Sequence, residues 1–169
     1  SRTRDETTFT VCERLFKRVK NFRQLEQLLA PRSPAERDEV GEIRHPLYPV
    51  GFYRTKAEHL KLLAKKIISE FDGKVPNTLG DLVSLPGVGR KTANIVLART
   101  FKIPAIGVDT HVHRVANALG WVHTKTPEQT ERELTKILPK KYWLDTNRLM
   151  GSIGRQYRSK KQLENFLKN

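Results

Sequence analysis

Lys91 and Asp109 are the two residues whose types and settings best suit covalent and acid–base chemistry. Lys91 lies in Leu85-Pro86-Gly87-Val88-Gly89-Arg90-Lys91-Thr92-Ala93-Asn94, just as a helical pattern begins. An amine attacks only when unprotonated, and a free lysine titrates near ~10.4. The positive end of a helix and partial burial both disfavour the ammonium form. Arg90 and other nearby cations push the same way. So placed, Lys91 can add to an electrophilic carbon and form a Schiff base. By position alone, a phosphate-binding lysine is the commoner reading. Asp109 can stabilise developing positive charge or help deprotonate the amine. It also suits an N-cap, and both roles can hold because a cap fixes the rotamer. His111, two residues on, can reach a phosphate, although a solvated or core-satisfied histidine is the commoner case. His111 and His113 are spaced i, i+2, which splays them around a helix and argues against a metal pair. No metal site is expected.

These residues need helices to carry them. Before the Gly87-Val88-Gly89 turn, Leu79, Leu82 and Val83 repeat at helical spacing, with Thr78 and Asp81 as a capping signal. After it, Ala93, Val96 and Leu97 do the same. The reading is helix, Gly-rich hairpin, helix. Such a hairpin turns backbone N–H groups outward at a helix N-terminus and makes an anion site from Gly87, Val88, Gly89 and Arg90. A lone Gly-x-Gly is weak evidence and is found at plain helix corners as well. Downstream, Asp109 precedes Val112, Val115, Ala116 and Leu119 at i, i+3, i+4 and i+7.

The 169 residues suit one domain or two small lobes, and they can bury a sizeable core. Lys and Arg number 32 against 18 Asp and Glu, a formal charge of +14 that favours a polyanionic partner. Cys12 is the only cysteine, which excludes an intramolecular disulfide and any cluster held by several thiolates. A reducing, intracellular compartment follows. No run spans a bilayer, so no membrane partner is expected.

Val11, Leu15 and Val19 line one helical face, with Phe16 beside them. Leu25, Leu28 and Leu29 predict a short second helix, and Ser33-Pro34-Ala35-Glu36 caps a third that reaches about Ile43. His45 to Tyr53 reads as a loop crowded with Leu47, Tyr48, Val50, Phe52 and Tyr53, either a plug over the core or a ligand-facing surface. Ala57, Leu60, Ala64, Ile67, Ile68 and Phe71 define a long helix closed by Asp72-Gly73-Lys74. Residues 101–108 form an extended connector. Thr126-Pro127-Glu128-Gln129 opens a helix whose buried side is Leu134, Ile137 and Leu138. Trp143, Leu149, Met150 and Ile153 suggest another, and Leu163, Phe166 and Leu167 are available to dock the tail. No strand is convincing, so the fold class is all-α: a compact two-lobed helical bundle with a helix-hairpin-helix motif.

The Leu85–Lys91 hairpin, Val108-Asp109-Thr110-His111 and Leu47–Lys56 together resemble the helix-hairpin-helix (HhH-GPD) DNA glycosylase superfamily, in its endonuclease III branch. The resemblance runs from the first residues to about Tyr157. It implies one glycosylase domain over 1–169, with a six-helix lobe of about 5–108 holding the hairpin and a second lobe of about 109–169. It implies base excision repair: a bifunctional DNA glycosylase and AP lyase acting on oxidised pyrimidines in duplex DNA. Lys91 becomes the Schiff-base nucleophile and Asp109 the essential aspartate. Gly87, Val88, Gly89, Arg90, Arg2 and His111 become DNA-binding residues. Phe52 becomes an apolar wedge at the flipped nucleotide. The alternatives are a glycosylase for T or U opposite G, and a non-catalytic hairpin module that only binds DNA.

Two departures from the family stand out. Most relatives carry four C-terminal cysteines for a [4Fe–4S] cluster. Here Gly151-Ser152-Ile153-Gly154-Arg155-Gln156-Tyr157-Arg158-Ser159-Lys160 stands at that place, so no iron–sulfur cofactor is expected. A monovalent cation at the hairpin is compatible with the resemblance. Relatives also place an apolar helix before the stretch that begins here at Ser1, where Arg2 replaces a frequent glutamine and Asp5 matches an aspartate. A monomer is expected, unless a partner chain supplies that helix. The setting implied is intracellular and chromosome-associated.

Overall fold

The computed structural model describes residues 5–29 and 45–168, with the side chains of residues 5, 160, 167 and 168 left aside. The expected third helix over Ser33 to Ile43, Arg2, and the side chains of Asp5 and Leu167 lie outside the described residues. Among the described residues the secondary structure is helical, with no strand. The chain divides into two compact units, one of Ser1–Pro76 with Ser84–Gly87, the other of Asn77–Val83 with Val88–Asn169.

In the first unit, α1 (Asp5–Arg18), α2 (Phe22–Leu28) and α3 (Tyr53–Glu70) surround a core that includes Val11, Leu15, Leu25, Leu47, Val50 and Ala64. Asn21 starts α2 by accepting the amide of Gln24, while Gln24 Oε1 accepts the amide of Lys20. α3 ends where Phe71 and Gly73 both donate to the Ile67 carbonyl, with Gly73 at φ +72°. The expected loop closes one residue early, because Tyr53 already begins α3.

The second unit holds α4 (Leu79–Ser84, its last residue counted with the first unit), α5 (Arg90–Thr100), α6 (Thr110–Ala118) and α7 (Pro127–Ile137). A 3₁₀ turn (Lys140–Tyr142), α8 (Trp143–Gln156) and α9 (Lys160–Lys168) complete it. α6 is the central element and packs on α7, α8 and α9, burying Val112, Val115 and Ala116 completely. Its core neighbours include Ile106, Leu134, Met150 and Leu163. The connector over residues 101–108 is irregular, as its lack of a partner strand implies.

Three apolar residues expected on or beside buried faces are exposed instead: Phe16 (61%), Ile137 (51%) and Leu149 (52%). The reason is common to all three helices. The inward line runs at i, i+4, i+8: Val11-Leu15-Val19, Thr130-Leu134-Leu138 and Thr146-Met150-Gly154, all buried except the half-buried Leu138. Packing along one i±4 ridge leaves the residue a step beside that ridge in solvent. The tail expected only to dock is itself a helix: Leu163 is fully buried and Phe166 stacks on Tyr157 at 4.3 Å.

Candidate active site

The hairpin delivers Lys91 to the first turn of α5. Gly87 takes φ +77°, and a Cβ there would come within 3.0 Å of His59, so both backbone sign and space require glycine. Gly89 is the N-cap of α5 in extended conformation and has no side chain to bond the first amides. These N–H groups are left for water or an anion. Lys91 Nζ reaches Asp109 Oδ2 at 2.8 Å. The lysine side chain is 43% exposed and that of Asp109 18%, so the carboxylate is the more buried member of the pair.

Asp109 serves two purposes with its two oxygens. Oδ1 accepts the amides of His111 at 3.0 Å and Val112 at 2.9 Å, which caps α6. Oδ2 is thereby aimed at Lys91. Burial pushes the Asp109 carboxyl up, but the hydrogen bonds from Lys91 and the Val112 amide and the nearby positive charges outweigh it. The net result is a carboxyl held below its ordinary value. The cap and the chemistry proposed for Asp109 are therefore compatible in one rotamer.

Arg90, one residue earlier, is already engaged. Its guanidinium forms a bidentate pair with Glu131 on α7, at 2.8 Å for each bond, and that hydrogen bond raises the arginine further against a smaller burial penalty. Of the two histidines, His111 packs its Cβ against Gly154, where an added Cβ would lie 2.7 Å away. His113 bonds Thr130 Oγ1 at 2.6 Å within a polar group that includes Asn117 and Thr124, a structural role.

In the first unit the aromatic loop is both plug and surface. Leu47 and Val50 are buried in the core, whereas Phe52 is 79% exposed in a left-handed conformation at φ 57°. Arg14 ties the loop down by donating to the carbonyls of Pro46 at 3.0 Å and Tyr48 at 2.6 Å. Lys56 donates to the Gly51 carbonyl and lies over the Phe52 ring at 5.8 Å.

Sequence reading missed Glu131, Asn94 and Asn147. Asn94 carried a signal: a polar residue inside the apolar run Ala93–Leu97, buried to 2% and therefore in need of a partner. Glu131 and Asn147 carried none, since each is an ordinary polar residue on an amphipathic helix.

The profile of the HhH-GPD superfamily of base excision DNA repair proteins matches residues 1–140. Endonuclease III of Thermotoga maritima is 43% identical over 155 residues, covering 92% of this chain and 68% of that protein. The chain belongs to the HhH-GPD superfamily, in its endonuclease III branch. An Arabidopsis thaliana relative, endonuclease III homolog 2, chloroplastic, is 40% identical and is covered over 40% of its length. Among solved structures, a trapped endonuclease III–DNA covalent intermediate superposes with a TM-score of 0.78 at 34% identity, over 94% of this chain and 70% of that one. A non-covalent endonuclease III–DNA complex gives 0.74 at 35% identity, over 89% of this chain and 66% of that one. A thermostable thymine-DNA glycosylase, at 23% identity and 0.71 over 94% of this chain and 70% of that one, shares the fold.

The iron–sulfur cluster of most endonuclease III relatives does not fit the residues present. Four thiolates are required and these 169 residues hold one cysteine, Cys12 on α1. Among the described residues no group of His, Cys, Asp or Glu is arranged to hold a metal ion. The α8–α9 junction is tied by other means. Arg114 on α6 donates to the Tyr157 carbonyl at 2.8 Å and also to the carbonyls of Gly154 and Arg158. Ser159 and Gln162 exchange capping bonds that start α9. Among the described residues no helix is long and apolar enough to cross a membrane.

Proposed function

We propose that this chain is a bifunctional DNA glycosylase and AP lyase that removes oxidised pyrimidines from duplex DNA and cuts the strand. The observation that carries the reading is the 2.8 Å contact between Lys91 Nζ and Asp109 Oδ2 beside a glycine-capped helix N-terminus. Pure DNA binding has no use for a carboxylate that neutralises a lysine at such a place.

The chemistry uses these two side chains in turn. Asp109 takes a proton from the Lys91 ammonium and frees the nitrogen lone pair. That pair forms a bond to C1′ of the flipped nucleotide. The glycosidic C1′–N bond breaks with its electrons going to the base, which takes up, as it leaves, the proton that Asp109 removed from Lys91. The carboxylate restored in this way steadies positive charge on the sugar. The C1′–O4′ bond then breaks as the attached nitrogen passes one proton to O4′, and the opened sugar carries an iminium at C1′. Loss of a C2′ proton then expels the 3′ phosphate oxygen and breaks the strand, and hydrolysis of the imine releases Lys91. Amides and side chains of Gly87, Val88, Gly89 and Arg90 would hold phosphates, His111 would meet a phosphate or the flipped base, Arg2 would meet the orphaned base, and Phe52 would fill the vacated stack. Arg90 would have to exchange or share its Glu131 partner to do so. The reading further takes the enzyme to act as a monomer on chromosomal DNA.

Borohydride reduction on a duplex with one abasic site tests the reading. Wild type should give a covalent adduct and Lys91→Ala none, with both proteins folded and bound to the duplex. A folded, DNA-binding wild type without adduct would refute the lyase. Release of thymine glycol base would then separate a monofunctional glycosylase from a binding module.

A further inference from the structure

The cap fixes the Asp109 side chain relative to α6, and the irregular connector before it sets where that helix start lies against α5. Two carboxamides grip consecutive carbonyls of that connector from two helices. Asn94 Nδ2, on α5, donates to the Ile106 carbonyl at 3.0 Å. Asn147 Nδ2, on α8, donates to the Gly107 carbonyl at 2.6 Å. Gly107 is pressed onto α5 so closely that a Cβ would stand 2.7 Å from Ile95 Cγ1 and 3.3 Å from the Lys91 carbonyl. The backbone of Lys91 and the backbone two residues before Asp109 are thus in contact, and side chains from α5 and α8 fix their register.

We propose that Asn147, together with Asn94, is a positioning residue for the Lys91–Asp109 pair: by tying the Gly107 carbonyl to α8 it holds the Asp109 carboxylate against the reacting amine. This rests on the lyase reading given above. Asn147 touches neither Lys91 nor DNA in this role. Its effect passes through the connector, and a displacement of about 1 Å at a reacting pair costs about 10²-fold in rate. Burial alone raises the Asp109 carboxyl, and contact with Lys91 is among the causes that reverse this. Loosening the connector should therefore move the Asp109 titration to higher pH, an effect that general loss of packing elsewhere would not produce.

The experiment compares wild type, Asn147→Ala and Asn147→Asp on a duplex with one abasic site. Four quantities are read: single-turnover borohydride trapping at saturating enzyme, duplex affinity, melting temperature, and the ¹³C titration of the Asp109 carboxyl, assigned by its loss in Asp109→Asn. Asn147→Ala should trap roughly 10–100-fold more slowly, with affinity within about 2-fold of wild type. Its Asp109 midpoint and the acid limb of its rate profile should both rise. Asn147→Asp should be slower still, because it sets a carboxylate against the Gly107 carbonyl. If either variant fails to fold, the other carries the test. Unchanged rate and midpoint would overturn the proposal. So would a rate loss that merely follows lost affinity or melting while the midpoint stays put. A wild type that forms no adduct would sink the lyase reading instead, and the carboxyl titration would still report on the positioning.

Discussion

Two ion pairs stand side by side at the head of α5, and they are built differently. Arg90 meets Glu131 through two parallel bonds of 2.8 Å, a closed fork that fills both carboxylate oxygens. Lys91 meets Asp109 through one contact, while the other Asp109 oxygen is spent on the amides of α6. The first pair is a strap between helices in which both carboxylate oxygens are taken up by the arginine. The second has a fixed acceptor and a donor on a flexible stem that is 43% exposed, so the amine can leave the contact and meet a substrate. On the proposed function, adjacent basic residues in one motif divide between holding the scaffold and doing chemistry. The bonding pattern of the partner carboxylate decides which.

The largest effect that would sharpen this contrast is expected at Asp109. Asp109→Asn should keep the α6 cap, since asparagine caps about as well as aspartate. It loses the charge and sets an amide donor against the lysine. Single-turnover trapping should fall by about 10²–10⁴-fold while the melting temperature moves little. Comparable trapping by Asp109→Asn would break the contrast, leaving both carboxylates as scaffold.

A smaller and opposite result is expected at Glu131. Glu131→Gln weakens the fork, which is half-exposed on the arginine side, and should cost about 0.5–1 kcal/mol. That corresponds to a melting shift of roughly 1–4 °C. Adduct formation at saturating DNA should be unaltered. A Glu131→Gln enzyme that stays as stable as wild type yet loses trapping would reverse the assignment of the two pairs.

The smallest effect is in the pH dependence of stability. The Asp109 carboxyl is lower in the folded chain than its ordinary value, so its contribution is fully present above the unfolded pKa, near ~3.9. It is lost as pH falls through the still lower folded value. Denaturant melts of wild type and Asp109→Asn should differ by a constant amount from about pH 7 to about pH 5 and converge below about pH 4. A gap that persists unchanged into strong acid would show that the charge of Asp109 contributes nothing to the fold.

Much of this was legible in the residues. Thr78 and Asp81, Thr126 and Gln129, and Asp109 were recognisable as helix starts because capping is a matter of a few residues and a side chain of the right length. The glycines of the hairpin were legible for the same local reason. Which apolar residues reach the core was less so. What decides it at Ile137 and Leu149 is direction rather than hydrophobicity: both are as apolar as Leu134 and Met150, yet they lie beside the buried face of their helices. Of the loop over His45 to Tyr53, read as either a plug or a ligand-facing surface, the fold buries Leu47 and Val50 in the core and leaves Phe52 exposed.

The sequence by itself determined the all-α class, the hairpin, the cap at Asp109 and the nomination of Lys91, because each depends on residue types within one or two turns of chain. Only the tertiary structure decided that Arg90 is strapped to Glu131, 41 positions away, and that Asn147 holds the connector 40 positions before it. A side chain's long-range partner depends on how helices pack, and helix packing sums many weak contacts that no single stretch of sequence contains.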